Sequence, residues 1–182
     1  MIQNERDLRK EIVIQAARQM MIAARTAPKG KGVDIIEMAL VTGDDLFRLS
    51  EEMLHIAEEK GLKFFYRDSD NILQADAVMI IGTRQQSQGL NCSHCGYETC
   101  ASKPAETPCT INTIDVGIAV GSACAKAADL RLDTRVMFSA GLAAQRLGML
   151  GDDCGCVMAI PVSATSKNPF FDRKPKEQAP VQ

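Results

Sequence analysis

The feature that most constrains this chain is a cysteine-rich stretch with the spacing Cys92-x2-Cys95-x4-Cys100-x8-Cys109. Almost no hydrophobic periodicity runs between Cys92 and Cys109. A segment of this length without secondary structure is uncommon in a compact domain unless it has a function. The stretch lies between a predicted strand and a predicted helix, so something other than an apolar core has to order it. Four thiolate bonds to a metal centre would do so.

The spacing favours an iron–sulfur cluster over zinc. Iron–sulfur clusters are held by four cysteine thiolates, whereas structural zinc sites usually combine two separated close pairs. Here Cys92 and Cys95 form one close pair, but Cys100 and Cys109 are too far apart to form a second. We therefore predict a [4Fe–4S] cluster on these four residues. The alternatives are a zinc ion that orders the loop for a partner protein, and plain unligated cysteines.

The remaining cysteines are predicted to serve packing. The chain has 7 cysteines, and an odd number argues against a disulfide framework. Cys124 stands among small residues on a predicted helix, which indicates a core position. Cys154 and Cys156 precede the final strand, and packing is favoured there over a redox or second metal role. His94 lies between two ligands, where tuning of the cluster by a hydrogen bond is the alternative to no role.

Hydrophobic periodicity predicts alternating helices and strands. Helices are predicted over 4–25, 42–61 and 142–150 and from residue 110 onward, with one further turn ending at 75. Strands are predicted over 35–41, 62–66, 77–82, 135–140 and 156–161. This alternation favours a layered α/β or α+β domain with one main sheet. We expect a single domain over 1–164, a cluster-bearing insertion at 91–109, and a partly disordered tail over 165–182.

Composition excludes several classes of function. The formal net charge is −2 and aromatic residues make up 4% of the chain, so neither a basic surface nor base-stacking platforms favour nucleic acid binding. No apolar run reaches the roughly 18 residues of a membrane span, and the N-terminus lacks a secretory pattern. We expect a cytoplasmic protein.

The cysteine segment carries a resemblance. The string Asn91-Cys92-Ser93-His94-Cys95-Gly96-Tyr97-Glu98-Thr99-Cys100 resembles the four-iron–four-sulfur domain of corrinoid iron–sulfur proteins and of the B subunit of ion-translocating electron-transport complexes. In that domain the fourth cysteine follows later, so Cys109 departs from the pattern. Nearly the whole chain resembles a family of bacterial and archaeal ferredoxin-domain-containing proteins, on this string, on Ala23 to Gly32 and on Ile160 to Asn168. The predicted cluster would accept and pass single electrons, so the leading function is electron transfer with an unspecified redox partner.

A second resemblance is to FMN-dependent nitroreductases. A first helix ends at Ala27-Pro28, Asp115 opens a helix of small residues, and a closing strand ends in Pro161. The resemblance implies an α+β nitroreductase-like layered fold, with one main β-sheet flanked by helices and the cysteine-rich insertion, built as a homodimer. It also admits FMN as a cofactor and a reductase fed by the cluster as an alternative function.

The nitroreductases' Arg-rich phosphate-binding motif is not recognisable in this chain. Its replacements would be Arg25, Lys29 and Lys31, as an FMN phosphate site in a glycine-containing turn. The alternative for the two lysines is a place on a solvated loop, which we favour.

Overall fold

The structure is a computed structural model that describes residues 1–171. The predicted disorder of the tail over 172–182 lies outside the described residues. The part of the tail that is described packs against the domain, since Phe170 is only 1% exposed and belongs to the core.

Helices and strands alternate along the described chain. The α-helices are α1 (Glu5–Thr26), α2 (Asp44–Lys60), α3 (Phe64–Ile72), α4 (Thr110–Asp129) and α5 (Phe138–Arg146). The strands are β1 (Ile36–Val41), β2 (Ala77–Arg84), β3 (Asp133–Thr134) and β4 (Cys154–Ser163). A single 3-10 turn over Gly30–Gly32 connects α1 to β1 within this part of the chain.

One antiparallel sheet, in the order β1-β2-β4-β3, forms the middle layer of the described residues. α1 and α4 pack on the face that carries Met79 and Ile81 of β2. α2, α3 and α5 pack on the opposite face, which carries Val78 and Ile80. β2 is therefore buried on both sides, which explains its continuous apolar run. The predicted α+β class, with one main sheet flanked by helices, is confirmed.

The long periodic helices begin and end close to their predicted positions. The Asn4 side chain caps α1 by accepting a hydrogen bond from the Arg6 N–H at 3.1 Å. Gly61 ends α2 with a φ of 65°, the left-handed conformation that glycine adopts at low cost. None of the helices within residues 1–171 combines the length and apolarity needed to cross a bilayer.

The predicted strand over 62–66 is wrong, because this stretch opens α3. Phe65 and Ile72 are fully buried at helical spacing, but Asp68 and Ser69 between them are buried as well. Asp68 accepts a hydrogen bond from the Ser139 hydroxyl at 2.7 Å. Because these residues are polar, the apolar spacing does not reveal the helix. The turn predicted to end at 75 overlaps the end of the same helix, at Ile72.

The predicted strand over 135–140 is also wrong. Strand pairing near this stretch is limited to β3, which ends before it, and to an isolated bridge between Met137 and Ala159. α5 then begins at Phe138. Gly141 allows α5 to lie directly on β4, because a Cβ there would stand 2.0 Å from the Val157 carbonyl oxygen. The short side chains of this stretch are therefore a requirement of helix–sheet packing.

Candidate metal centre

The cysteine segment lies where the central strand β2 ends. β2 ends at Arg84, and the chain then crosses without regular structure to the start of α4 at Thr110. Cys109 occupies the N-cap position of this 20-residue helix. The partial positive charge of a helix N-terminus stabilises an anionic group placed beside it.

The structure places all four predicted ligands around one small cavity. Cys92, Cys95, Cys100 and Cys109 line it together with Gln88 and Tyr97. Cys92 is exposed, and the three other cysteines are half-buried. We call this cavity the cysteine pocket.

Asn91 and Cys100 hold each other through a reciprocal pair of hydrogen bonds. The Cys100 N–H donates to the Asn91 side-chain oxygen at 2.8 Å, and the Asn91 N–H donates to the Cys100 Sγ at 3.4 Å. The Asn91 N–H lowers the pKa of the Cys100 thiol below its ordinary value, with smaller contributions from Ser87 and the N–H groups of Gly89 and Leu90. This surrounding stabilises a thiolate, which is the form that binds metal.

The backbone before and through the segment turns repeatedly into the left-handed region. Gly89, Asn91, Ser93 and Gly96 have φ values of 68°, 47°, 60° and 87°. Alternating right- and left-handed residues direct successive N–H groups into one concavity, an arrangement that binds anions. Asn is among the non-glycine residues that tolerate this conformation best.

The buried side-chain amide of Gln88 indicates whether the cysteine pocket suits an iron–sulfur cluster. It is 6% exposed, and its carbonyl accepts a hydrogen bond from the Lys31 Nζ at 3.0 Å. Gln88 lines the cysteine pocket, and its side-chain Nε2 is buried with no hydrogen-bond partner among residues 1–171. A buried N–H without an acceptor is costly, and a cluster sulfur is such an acceptor. Four thiols, this N–H group and a helix N-terminus fit an iron–sulfur cluster.

The cysteine pocket is closed in this structure. Its volume is about 10 Å³, room for one water molecule. Within residues 1–171, no three His, Cys, Asp or Glu side chains are close enough to hold one metal ion. The loop would therefore have to move to bind either a zinc ion or an iron–sulfur cluster. Zinc would bring four sulfurs to about 2.3 Å from one ion, whereas in a cluster each cysteine would bind a separate iron.

The three residues predicted for an FMN phosphate are bonded to oxygens of the chain itself. Arg25 donates to the Asp34 carboxylate at 2.8 Å and to the Ile36 carbonyl at 2.7 Å. Lys29 donates to the carbonyls of Ala24, Arg25 and Ala27 at the end of α1, and Lys31 donates to Gln88. All three side chains are thus already engaged in contacts within the chain. Lys29 is also not a solvated lysine, because its side chain is 6% exposed.

The remaining cysteine and histidine positions singled out in the sequence have different surroundings in the structure. Cys154 is 3% exposed in the core, which agrees with a packing role, and burial raises the pKa of its thiol to about 11. Cys156 is half-buried and lines a cleft next to the cysteine pocket, so packing does not account for it alone. The His94 side chain makes one hydrogen bond among the described residues, from Nδ1 to the Cys92 carbonyl at 3.0 Å.

Sequence reasoning missed Gln88 and the role of Asn91. Both are neutral polar residues in an irregular loop, where neither periodicity nor ligand spacing distinguishes them from other loop residues. The one available indication was the position of Asn91 beside Cys92, since Asn is enriched where a chain turns left-handed.

Comparison with known proteins identifies the relatives of this chain. Residues 105–173 match the family described as "Uncharacterized protein containing a ferredoxin domain (DUF2148)". A protein of Archaeoglobus fulgidus is 41% identical over 187 residues, which cover 97% of this chain and 100% of the relative.

Solved nitroreductases share the fold. The chain superposes on a nitroreductase with bound FMN from Bacteroides fragilis with a TM-score of 0.62 and 12% identity, covering 92% of this chain and 86% of the other. A nitroreductase from Lactococcus lactis in complex with nicotinic acid gives a TM-score of 0.59 and 14% identity, with 98% and 85% covered. Identities this low show the fold alone. The chain thus belongs to the family of proteins containing a ferredoxin domain, and it has a nitroreductase-like fold.

Proposed function

We propose that this protein transfers single electrons in the cytoplasm through a [4Fe–4S] cluster held by Cys92, Cys95, Cys100 and Cys109. The observation that carries the proposal is that four cysteines line one cavity together with Gln88, whose buried side-chain N–H has no partner among the described residues. The ferredoxin domain of the family supports an iron–sulfur centre. In this account residues 1–164 form one domain, and 91–109 are its cluster-bearing insertion.

The residues around the cysteines have defined tasks in this proposal. Asn91 fixes the position of Cys100, and Lys31 anchors the backbone of Gln88 so that its amide lies at the cysteine pocket. The N-terminus of α4 stabilises the negative charge of a cluster beside Cys109. A bound cluster would supply the gain and loss of single electrons, at a potential set by N–H groups directed at sulfur and by solvent exposure.

Serine variants of the four cysteines test the assignment. Protein purified without oxygen is expected to lose its visible cluster absorption, and most of its iron and sulfide, in Cys92→Ser, Cys95→Ser, Cys100→Ser and Cys109→Ser. Cys124→Ser is the matched control, because Cys124 is also half-buried but lies away from the cysteine pocket, packed against the α1 and α4 core. Wild-type iron and sulfide in any of the four variants would remove that residue from the ligand set.

An FMN-dependent reductase is a second candidate, supported by the fold shared with a nitroreductase that has bound FMN. The bonded state of Arg25, Lys29 and Lys31 weighs against the phosphate site predicted for it. A flavin absorption band in the supernatant after acid precipitation would establish this candidate. Protein that contains a full cluster but no flavin would exclude this candidate and retain electron transfer as the proposed function.

A further inference from the structure

A second cavity lies directly beside the cysteine pocket. It has a volume of about 280 Å³ and lies between the end of β2, the segment 103–109, the start of α4 and the start of β4. Lys103 and Cys109 line both cavities. We call this cavity the Cys156 cleft. Its volume is at the lower end of the range for small-molecule sites.

A β-bulge places Cys156 in this cleft. Thr83 pairs with Gly155 and Ile81 pairs with Met158, so Cys156 and Val157 together oppose Gly82. Cys156 has a φ of 53°, a left-handed conformation that is strained for a residue with a Cβ. Bulges occur next to functional sites, where they redirect a side chain. Here the bulge interrupts the alternation of β4 and gives the Cys156 thiol a place in the wall of the cleft.

Asn112 provides independent evidence that the cleft receives a ligand. It lines the cleft and is 2% exposed. Its Nδ2 donates to the Gln86 carbonyl at 2.5 Å, which fixes the orientation of the amide. Its Oδ1 has no hydrogen-bond partner within residues 1–171. A buried acceptor in this state calls for a donor that the chain does not supply.

Three charged side chains line the cleft: Arg84 and Lys103 are engaged within the chain, and Glu106 adds an exposed carboxylate. Arg84 forms an ion pair with Glu37, and Lys103 donates to the carbonyls of Pro104 and Thr107. The remaining polar lining is dominated by the neutral amides Gln85, Gln86, Asn112 and Gln145. The Glu106 carboxylate repels an anion, and the two cationic side chains are engaged elsewhere, so this lining favours an uncharged ligand over an anion.

We propose that the Cys156 cleft binds a small, uncharged molecule that donates an N–H hydrogen bond to Asn112 Oδ1 and lies against the Cys156 thiol. Such a ligand would lie next to Cys109. Its relevance to electron transfer rests on the proposed function, whereas its binding does not.

Protection of Cys156 from alkylation tests the proposal on the intact wild-type protein. Benzamide is the probe, and benzoate is its matched control, because it has the same ring with a negative charge and no N–H donor. Alkylation by iodoacetamide is followed at each cysteine by mass spectrometry. Cys124 is the internal control, since it too is half-buried and burial raises the pKa of its thiol as it does for Cys156.

Benzamide at about ten times its dissociation constant should slow the alkylation of Cys156 about tenfold and leave Cys124 unchanged. Benzoate should protect neither, and Asn112→Leu should lose the protection by benzamide. Should this variant fail to fold, wild-type protein already alkylated at Cys156 should no longer bind benzamide in a calorimeter. Equal protection by benzoate, or none by benzamide, would overturn the proposal. Iron content measured on the same samples reports separately on the cluster.

Discussion

Asn91 is the residue on which the shape of the cysteine pocket depends most directly. Its side-chain oxygen accepts the Cys100 N–H, and its own backbone is left-handed. Asn91→Ala removes the acceptor and adds backbone strain, whereas Asn91→Gly removes the acceptor and relieves the strain. We expect the cluster absorption of Asn91→Ala to decay in air about tenfold faster than that of the wild type, as for one lost hydrogen bond of about 1.4 kcal/mol. Asn91→Gly should be intermediate.

Decay at the wild-type rate in Asn91→Ala would show that the pairing with Cys100 does not hold the site together.

Cys154 gives the protein a dependence on alkaline pH. Burial raises the pKa of its thiol to about 11, from 9.0 for an ordinary thiol. Between these values the unfolded chain loses the Cys154 proton while the folded chain keeps it, so stability falls as pH rises from about 9 to about 11. Urea midpoints measured under reducing conditions on both sides of this window should fall less in Cys154→Ala than in the wild type. An identical fall in the two proteins would contradict the role of this thiol.

Gly141 controls the packing of α5 on the sheet. A Cβ at this position would meet the backbone of Val157 and Met158, and backbone atoms cannot move aside as a side chain can. We expect Gly141→Ala to lower the free energy of unfolding by at least about 3 kcal/mol. Gly61→Ala is the control, because Gly61 has open space around it and needs only a left-handed φ, which costs about 1 kcal/mol. Urea unfolding that gave both variants the same loss would refute the close contact.

The elements that could be predicted are those with a long, uninterrupted period. α1, α2 and α4 follow from apolar spacing, and β2 follows from its run of buried residues. α3 could not be predicted, because Asp68 and Ser69 lie on its buried face. Hydrogen bonds that form only in the folded structure offset the cost of burying these two polar side chains. The residues of the site also differ in how far the sequence predicts them. Cysteine spacing indicates four ligands, but nothing in the sequence assigns the contacts of Gln88, Asn91 or Asn112.

At the scale of the whole molecule, the outer face of α4 is the surface on which we expect a second copy to pack. Ile114 and Ile118 are 45% and 39% exposed, and Gly117 and Gly121 between and beyond them have open space at the Cβ position. Small residues next to exposed apolar ones allow two helices to approach closely. Wild-type protein should sediment as a dimer and Ile118→Glu as a monomer.

The matched control for the dimer is Phe47→Glu. Phe47 is 60% exposed on α2, in the opposite layer, and its replacement should leave the dimer intact. A monomeric wild-type protein, or a dimeric Ile118→Glu variant, would contradict pairing through α4.

The composition of wild-type protein purified without oxygen decides the identity of the metal centre. Iron, sulfide and zinc are measured on one sample, together with the electron paramagnetic resonance spectrum after reduction. We predict about four irons and four sulfides per chain and a spectrum of a reduced [4Fe–4S] cluster. About one zinc per chain without iron or sulfide would contradict it and would make the cysteine segment a structural zinc site.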